Sequence, residues 1–302
     1  MIIDTRANLA TAKTTFRALF IQTLASVITL HQDLAMVITD PAESLDLGFI
    51  GQMPSVRKWI GNRVINNLVK KGLTVAPDPF ELTIGVKVSE LETDRLGLIR
   101  PRIQDMTSEM AKHPERLFID LLAKGFENLC WDGQYFFDTD HPVEVNGTVQ
   151  SVSNMSTAEF SAEALAAALS EMSSLVRDGD GEPLEIGATD LVVPPQLYDA
   201  ALRAVNADII EGTTNVRKGV VKVHVAKRLA KYPTRWFLLD CSREIRGIVV
   251  QVAKTPVFVA MDAPEDEARF MQSECRYGVD AKYGAGYGLW QLAWGSTGAG
   301  ES

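Results

Sequence analysis

The chain has 302 residues, 30 Lys and Arg against 39 Asp and Glu, and a formal net charge of −9. Apolar residues at 46 % and charged residues at 23 % are globular values, which exclude a disordered tail, a coiled-coil rod and a collagen-like fibre. The acidic balance argues against a dedicated nucleic-acid binder, and no run of about 18 apolar residues exists to span a membrane.

Met1-Ile2-Ile3-Asp4-Thr5-Arg6 lacks a basic stretch followed by an apolar one, so no secretory signal is expected and the chain reads as cytoplasmic. Cys130, Cys241 and Cys275 form no C-x-x-C pair and are odd in number, which suits buried thiols rather than a disulfide framework. His31, His113, His141 and His224 are scattered.

Residues 5–30 predict an amphipathic helix, with Leu9, Phe16, Leu19, Phe20, Leu24 and Val27 mostly three or four apart. The following stretch, through Leu45-Asp46-Leu47-Gly48, reads as a loosely structured arm. In residues 54–92, Val64, Ile65, Leu68 and Val69 are followed by a Lys70-Lys71-Gly72 break. Phe80, Leu82, Ile84, Val86 and Val88 then alternate strictly, the mark of a strand with one apolar face. So long an excursion with so few large residues cannot bury itself, and a second subunit is expected to cover it.

Residues 98–126 predict a long helix with Ile103, Met106, Met110, Leu117 and Leu121 on one face. Pro101 is expected in its first turn, Pro114 to kink it or start a second helix, and Gly125 to end it. Residues 130–156 read as loop, 157–177 as helix, 178–183 as a turn and 191–193 as a buried strand stopped by Pro194-Pro195. A short helix follows at 196–205. Strands are expected at 219–226, 235–240, 247–253, 256–261, 268–279 and 286–294. Helices early and strands late predict an α+β fold.

Trp131 to Pro142 is the most enzyme-like stretch. Asp132, Asp138, Asp140 and His141 could meet a divalent ion, but no second cluster completes a coordination shell, and Asp-x-Asp before His-Pro is ordinary turn chemistry. Asp132, Tyr135, Phe137, Asp138, Asp140 and His141 therefore read as a structural loop, with no catalytic, metal or cofactor residues. A metal-dependent hydrolase is the minor alternative. Asp178-Gly179-Asp180-Gly181 fails as a calcium loop, because Pro183 and Thr189 stand where Gly and Glu are needed. Gly284-Ala285-Gly286-Tyr287-Gly288 lacks the marks of a phosphate loop. Between Val216 and Arg235 lie seven cations and no acid, Arg217, Lys218, Lys222 and Arg228 among them; without the seven, the remainder carries −16. A second basic group is Arg57, Lys58, Arg63, Lys70 and Lys71. Each reads as a solvated face or, more sharply, as a seam against an acidic surface of a partner, with nucleic-acid contact as a third reading; the seam is the expectation carried forward.

Five islands carry a family resemblance: Gly51-Gln52-Met53-Pro54-Ser55-Val56-Arg57-Lys58-Trp59-Ile60-Gly61-Asn62-Arg63-Val64; His113-Pro114-Glu115 through Phe126; Asp132 through Pro142; Leu191 through Leu197; and Gly286 through Ala293. Together, in this order, the chain resembles the major head subunit of Mu-like tailed phages, a branch of the Hong Kong 97-type capsid fold. The resemblance implies an arm over 1–53, an extended loop over 54–92, and a peripheral domain over 93–185 with its spine at 98–126. It further implies an axial domain over 186–258 and a return to the peripheral sheet over 259–302. It implies a non-enzymatic shell protein without cofactor or membrane. Its partners would be further copies of itself, in pentamers and hexamers, with a separate scaffolding protein, a portal, decoration proteins and DNA held inside without sequence preference. A cellular nanocompartment shell of the same fold is the nearest alternative.

Arg57, Trp59, Arg63, Lys70, Lys71, Phe80, Leu82, Ile84 and Val86, with the 216–235 cations, are the expected subunit interface. Trp59→Asp is predicted to leave folded, soluble subunits that fail to close shells. Particles of normal form in electron micrographs of that variant would refute the assignment.

Overall fold

The computed structural model describes residues 5–47, 74–92, 96–145, 148–174, 184–210, 213–215 and 217–298. The fold is α+β, with two principal sheets and two apolar cores joined by a pair of long strands.

The first sheet is organised by Ile248–Met261 and Glu274–Tyr287, antiparallel and 14 residues each. The two segments expected at 247–253 and 256–261 are thus one strand, with register shifts on either side of Lys254. Asp78–Lys87 pairs antiparallel with Glu274–Tyr287, and Met36–Thr39 pairs parallel with Ile248–Met261. This sheet and the helices Thr5–Ser26 and Leu96–Ala111 enclose one core. Phe16 and Phe20, one turn apart, are buried there with Ile103, Met106 and Met110, and the Phe16 ring meets Tyr277 edge-on at 5.1 Å.

The alternation read in the sequence holds along Asp78–Lys87, but its cover comes from this chain. Val86 is fully buried, and Phe80, Leu82 and Ile84 are half-buried against the same core. The argument that this face needs a second subunit to cover it is therefore corrected.

The second sheet has the order Lys222–Val225, Asp190–Val193, Trp236–Leu239, Ala293–Ser296, Met155–Ser156. Leu191, Val192, Val193 and Trp236 through Leu238 are completely buried, as uninterrupted apolar runs in the interior of a covered sheet must be. Helices His113–Ala123, Ala162–Ser174 and Tyr198–Asn206 supply the rest of this core. Ile248, Val249, Val250 and Tyr287 belong to it as well, so the long strand pair passes from one core into the other.

Several expectations change. The arm is not loose: Leu30–Leu34 is a helix and Met36–Thr39 joins a sheet, half-burying Met36 and Ile38. The spine meets one of its two expected forms, a second helix starting at Pro114: it is Leu96–Ala111 followed by His113–Ala123. Pro114 opens the second, where an N–H has no intrahelical partner to lose. Pro101 lies inside the first helix rather than in its first turn. Residues 141–145 and 148–152 pair as a hairpin where loop was expected. Glu267–Gln272 is helix, not strand. The last strand, Ala293–Ser296, returns to the second sheet beside Trp236–Leu239 rather than to the long one, because Leu292 and Trp294 bury in that core. The turn at 178–183 lies outside the described residues.

His31 is buried beside Leu34, and burial lowers its pKa to about 4. The unfolded chain takes up this proton below pH 6.5, whereas the native chain does not until pH falls to about 4. Stability should fall as pH drops through that window, by about 3 kcal/mol in full. Urea unfolding of isolated subunits at stepped pH checks this, and His31→Leu should flatten the dependence.

Candidate functional site

The expected structural loop, residues 130–142, folds around a single polar knot. His141 is fully buried and its ring lies flat on Trp290, with centroids 3.9 Å apart and planes at 9°. Its Nδ1 stands 2.7 Å from Asp132 Oδ2 and its Nε2 stands 3.2 Å from Asn154 Oδ1. The Asn154 amide is oriented by its neighbours. Its Nδ2 donates toward the carbonyls of Phe136, Trp290 and Ala293, while Oδ1 accepts the Asp138 backbone N–H at 2.9 Å. Both ring nitrogens of His141 thus face side-chain oxygens, one of them of the Asp132 carboxylate.

Burial raises the Asp132 carboxyl pKa, but hydrogen bonds from His141, Cys130 and the Gln134 amide outweigh it and hold the group below its ordinary value. Cys130 is pushed up by burial and then by Asp132, so its sulfur is a thiol at neutral pH. Cys130, Asp132 and His141 gather sulfur, oxygen and nitrogen within 4.8 Å of one another, and each already has a hydrogen-bond partner. Asp138 and Asp140, the other candidate ligands, stand apart from that group. Asp138 instead caps the turn, accepting from the Tyr135 and Thr139 amides.

Phe137 anchors the loop in the core. It packs on Phe126, Phe136 and Phe237, with centroids 4.9 to 5.4 Å away. A Cβ on Gly125 would stand 2.5 Å from the Phe137 ring, and one on Gly295 would stand 2.9 Å away. Those two glycines exist for close approach. Tyr135, in contrast, is half-exposed and fills no core position.

The interface residues divide into three groups. Arg57, Trp59, Arg63, Lys70 and Lys71 lie outside the described residues. Phe80, Leu82, Ile84 and Val86 face the chain's own core, as above. Several of the 216–235 cations have carboxylate partners within the chain. Lys218 meets Asp208 at 2.5 Å, Lys222 approaches Asp33 at 3.8 Å, and Arg228 grips Asp120 through two hydrogen bonds of 2.7 and 2.8 Å. Arg235 is buried, donates to the Ala123 carbonyl at 2.6 Å and lies over the Phe126 and Tyr232 rings. Among the described residues, Arg217, Lys227 and Lys231 have no carboxylate within ion-pair distance.

Sequence reading missed Asn154, a lone amide after a hairpin with no motif around it. It also missed a second buried pair, His224 Nε2 on Asp190 Oδ1 at 2.7 Å, which locks neighbouring strands of the second sheet. Asn154→Ala would leave three carbonyls, one amide and the His141 ring without their partner. A loss of about 3–5 kcal/mol is expected in urea unfolding. Asp140→Ala, at an exposed position outside the knot, should leave the midpoint unchanged.

Comparison with known proteins places this geometry. The chain is 26 % identical over 292 residues to the major capsid protein of Escherichia phage Mu, covering 97 % of this chain and 74 % of that one. It is 26 % identical over 273 residues to the FluMu prophage major head subunit of Haemophilus influenzae, covering 89 % and 67 %. Among solved structures, it resembles a chain of the procapsid of bacteriophage JBD30 at 31 % identity and TM-score 0.63, covering 96 % and 75 %. A virus-like particle from Pyrococcus furiosus shares the fold at 11 % identity and TM-score 0.55, covering 94 % and 98 %. The family described as Mu-like prophage major head subunit gpT matches residues 9–161, 155–229 and 225–299, and the chain belongs to that family.

Proposed function

We propose that copies of this chain close, as pentamers and hexamers, into the icosahedral head that encloses the double-stranded DNA of a Mu-like phage or prophage. The observation that carries this reading is the family match, which runs almost end to end and so includes both cores and the strands between them. The chain's work on this reading is assembly, not catalysis. The core around the long strands would form the peripheral domain, and the axial domain would draw on the second sheet, including its strands Met155–Ser156 and Ala293–Ser296 from outside residues 186–258. A scaffolding protein, a portal and decoration proteins would be supplied by separate chains.

The reading as a cellular nanocompartment is less well supported, because the likeness to the Pyrococcus particle is one of fold alone. Expression of the chain with and without the products of neighbouring genes, followed by negative-stain microscopy, tests the proposal. Closed shells of uniform diameter are expected. Monomers or amorphous aggregates under every combination would overturn it.

A further inference from the structure

Among the described residues, one group of sulfur, nitrogen and oxygen donors lies close enough to share an ion, and it sits in the knot at 130–142. Cys130 Sγ stands 3.0 Å from Asp132 Oδ1, and His141 Nδ1 stands 2.7 Å from Asp132 Oδ2. The carboxylate therefore lies between the thiol and the ring, with one oxygen turned to each. Three side chains thus offer four donor atoms to one point. The side chains of Asp132 and His141 are 1 % and 0 % exposed, while Cys130 is half-buried and leaves a way in from solvent.

The surroundings prepare Nδ1 of His141 as a ligand. Asn154 Nδ2 is engaged with three backbone carbonyls, and its Oδ1 accepts the Asp138 N–H. That oxygen is an acceptor, and it faces Nε2 of the ring at 3.2 Å. A neutral imidazole has one N–H to offer two oxygens. With the N–H on Nε2 and a metal ion on Nδ1, both oxygens are met. A metal-binding histidine is held in this way, its second nitrogen donating to an outer partner that fixes tautomer and ring plane. Trp290, stacked on the ring at 3.9 Å, fixes the same plane.

The donor set selects the ion. Thiolate, imidazole and carboxylate together suit Zn²⁺, whereas Mg²⁺ and Ca²⁺ take oxygen ligands. Zinc held at about 2.0–2.3 Å from sulfur, nitrogen and oxygen places neighbouring ligands about 3.4–3.6 Å apart. The sulfur and the ring need to part from the carboxylate by less than about 1 Å to admit it. Tyr135 and Gln134 close the turn by backbone and side-chain hydrogen bonds, so Cys130 and Asp132 stay on one side of it. Asp138 and Asp140 lie outside the group.

We infer that Cys130, Asp132 and His141 form a structural zinc site that clamps the segment after the second spine helix to the hairpin strand His141–Val145. As the sulfur–zinc bond forms, the Cys130 thiol proton leaves to solvent. The inference concerns a single chain and stands apart from whether copies assemble. The full chain, freed of metal by a chelator, is titrated with Zn²⁺ and with Co²⁺ as a spectroscopic stand-in. One ion per chain should bind, and cobalt should show the near-ultraviolet charge-transfer band of a thiolate ligand. Free zinc at about a hundred times its dissociation constant should shift the unfolding equilibrium toward the native chain by about a hundredfold. Mg²⁺ at the same concentration should not. Cys130→Ser should abolish the cobalt–sulfur band and weaken zinc binding by about a hundredfold or more. Cys241→Ser and Asp140→Ala should change neither. Absence of bound zinc and of the band would overturn the inference. So would a band that survives Cys130→Ser, or one that disappears with Cys241→Ser. Alkylation of the wild-type chain gives a reading that needs no variant to fold: zinc should slow labelling of Cys130 by about tenfold or more, and an equal rate with and without zinc would overturn the site.

Discussion

The rest of the molecule depends on the antiparallel pairing of Ile248–Met261 with Glu274–Tyr287. At one end these strands supply Val249, Val250 and Tyr287 to the core of the second sheet. Farther along they supply Phe258, Cys275, Tyr277 and Val279 to the core beneath the first helix. Neither core can shift against the other without breaking backbone hydrogen bonds that pair these two strands. The register irregularities beside Lys254 fall where the strands leave one core for the other, and an extra residue there adds local bend and twist. Two further strands, Met36–Thr39 and Asp78–Lys87, cover the two edges of this pair. The first core is therefore built from segments more than 200 residues apart in sequence, such as Phe16 and Tyr277.

That long-range construction explains what could be read in advance. Strict alternation from Phe80 to Val86 and helical spacing from Ile103 to Met110 are local signals, and both elements formed as expected. Pro114 likewise acts through its own backbone. What covers each face is not local. The strand at Phe80 looked unable to bury itself because its partners, Phe16 and Tyr277 among others, lie far away in the sequence. Met36–Thr39 is only four residues long, too short to show a period. Glu267–Gln272 is capped by Ser273 in the left-handed region, a conformation that no residue type there announces.

The loop at 130–142 shows the same division. Its Asp and His residues marked it as special, and turn chemistry correctly accounted for Asp138. The partners of His141 became visible only when Asn154 and Trp290 were placed beside it. Buried polar groups of this kind confer little net stability when satisfied and cost a great deal when one partner is lost. The knot thus acts mainly as a specification of one geometry. It ties the end of the second spine helix, through Phe136 and Phe137, to the last strands of the chain.

The charge reading changes most. A block of cations in an acidic chain suggested an intersubunit seam, yet Lys218, Lys222 and Arg228 find carboxylates at home. Exposed pairs of this sort contribute about 0–1 kcal/mol each, so they do not determine the fold. The second basic group, at 57–71, lies outside the described residues. It is the one interleaved with Trp59, Ile60 and Val64. For a subunit that must meet its copies at defined edges, a sticky charge combined with apolar residues is selective where charge alone is not: the ionic part steers the encounter, and the apolar part accepts only a surface of matching shape.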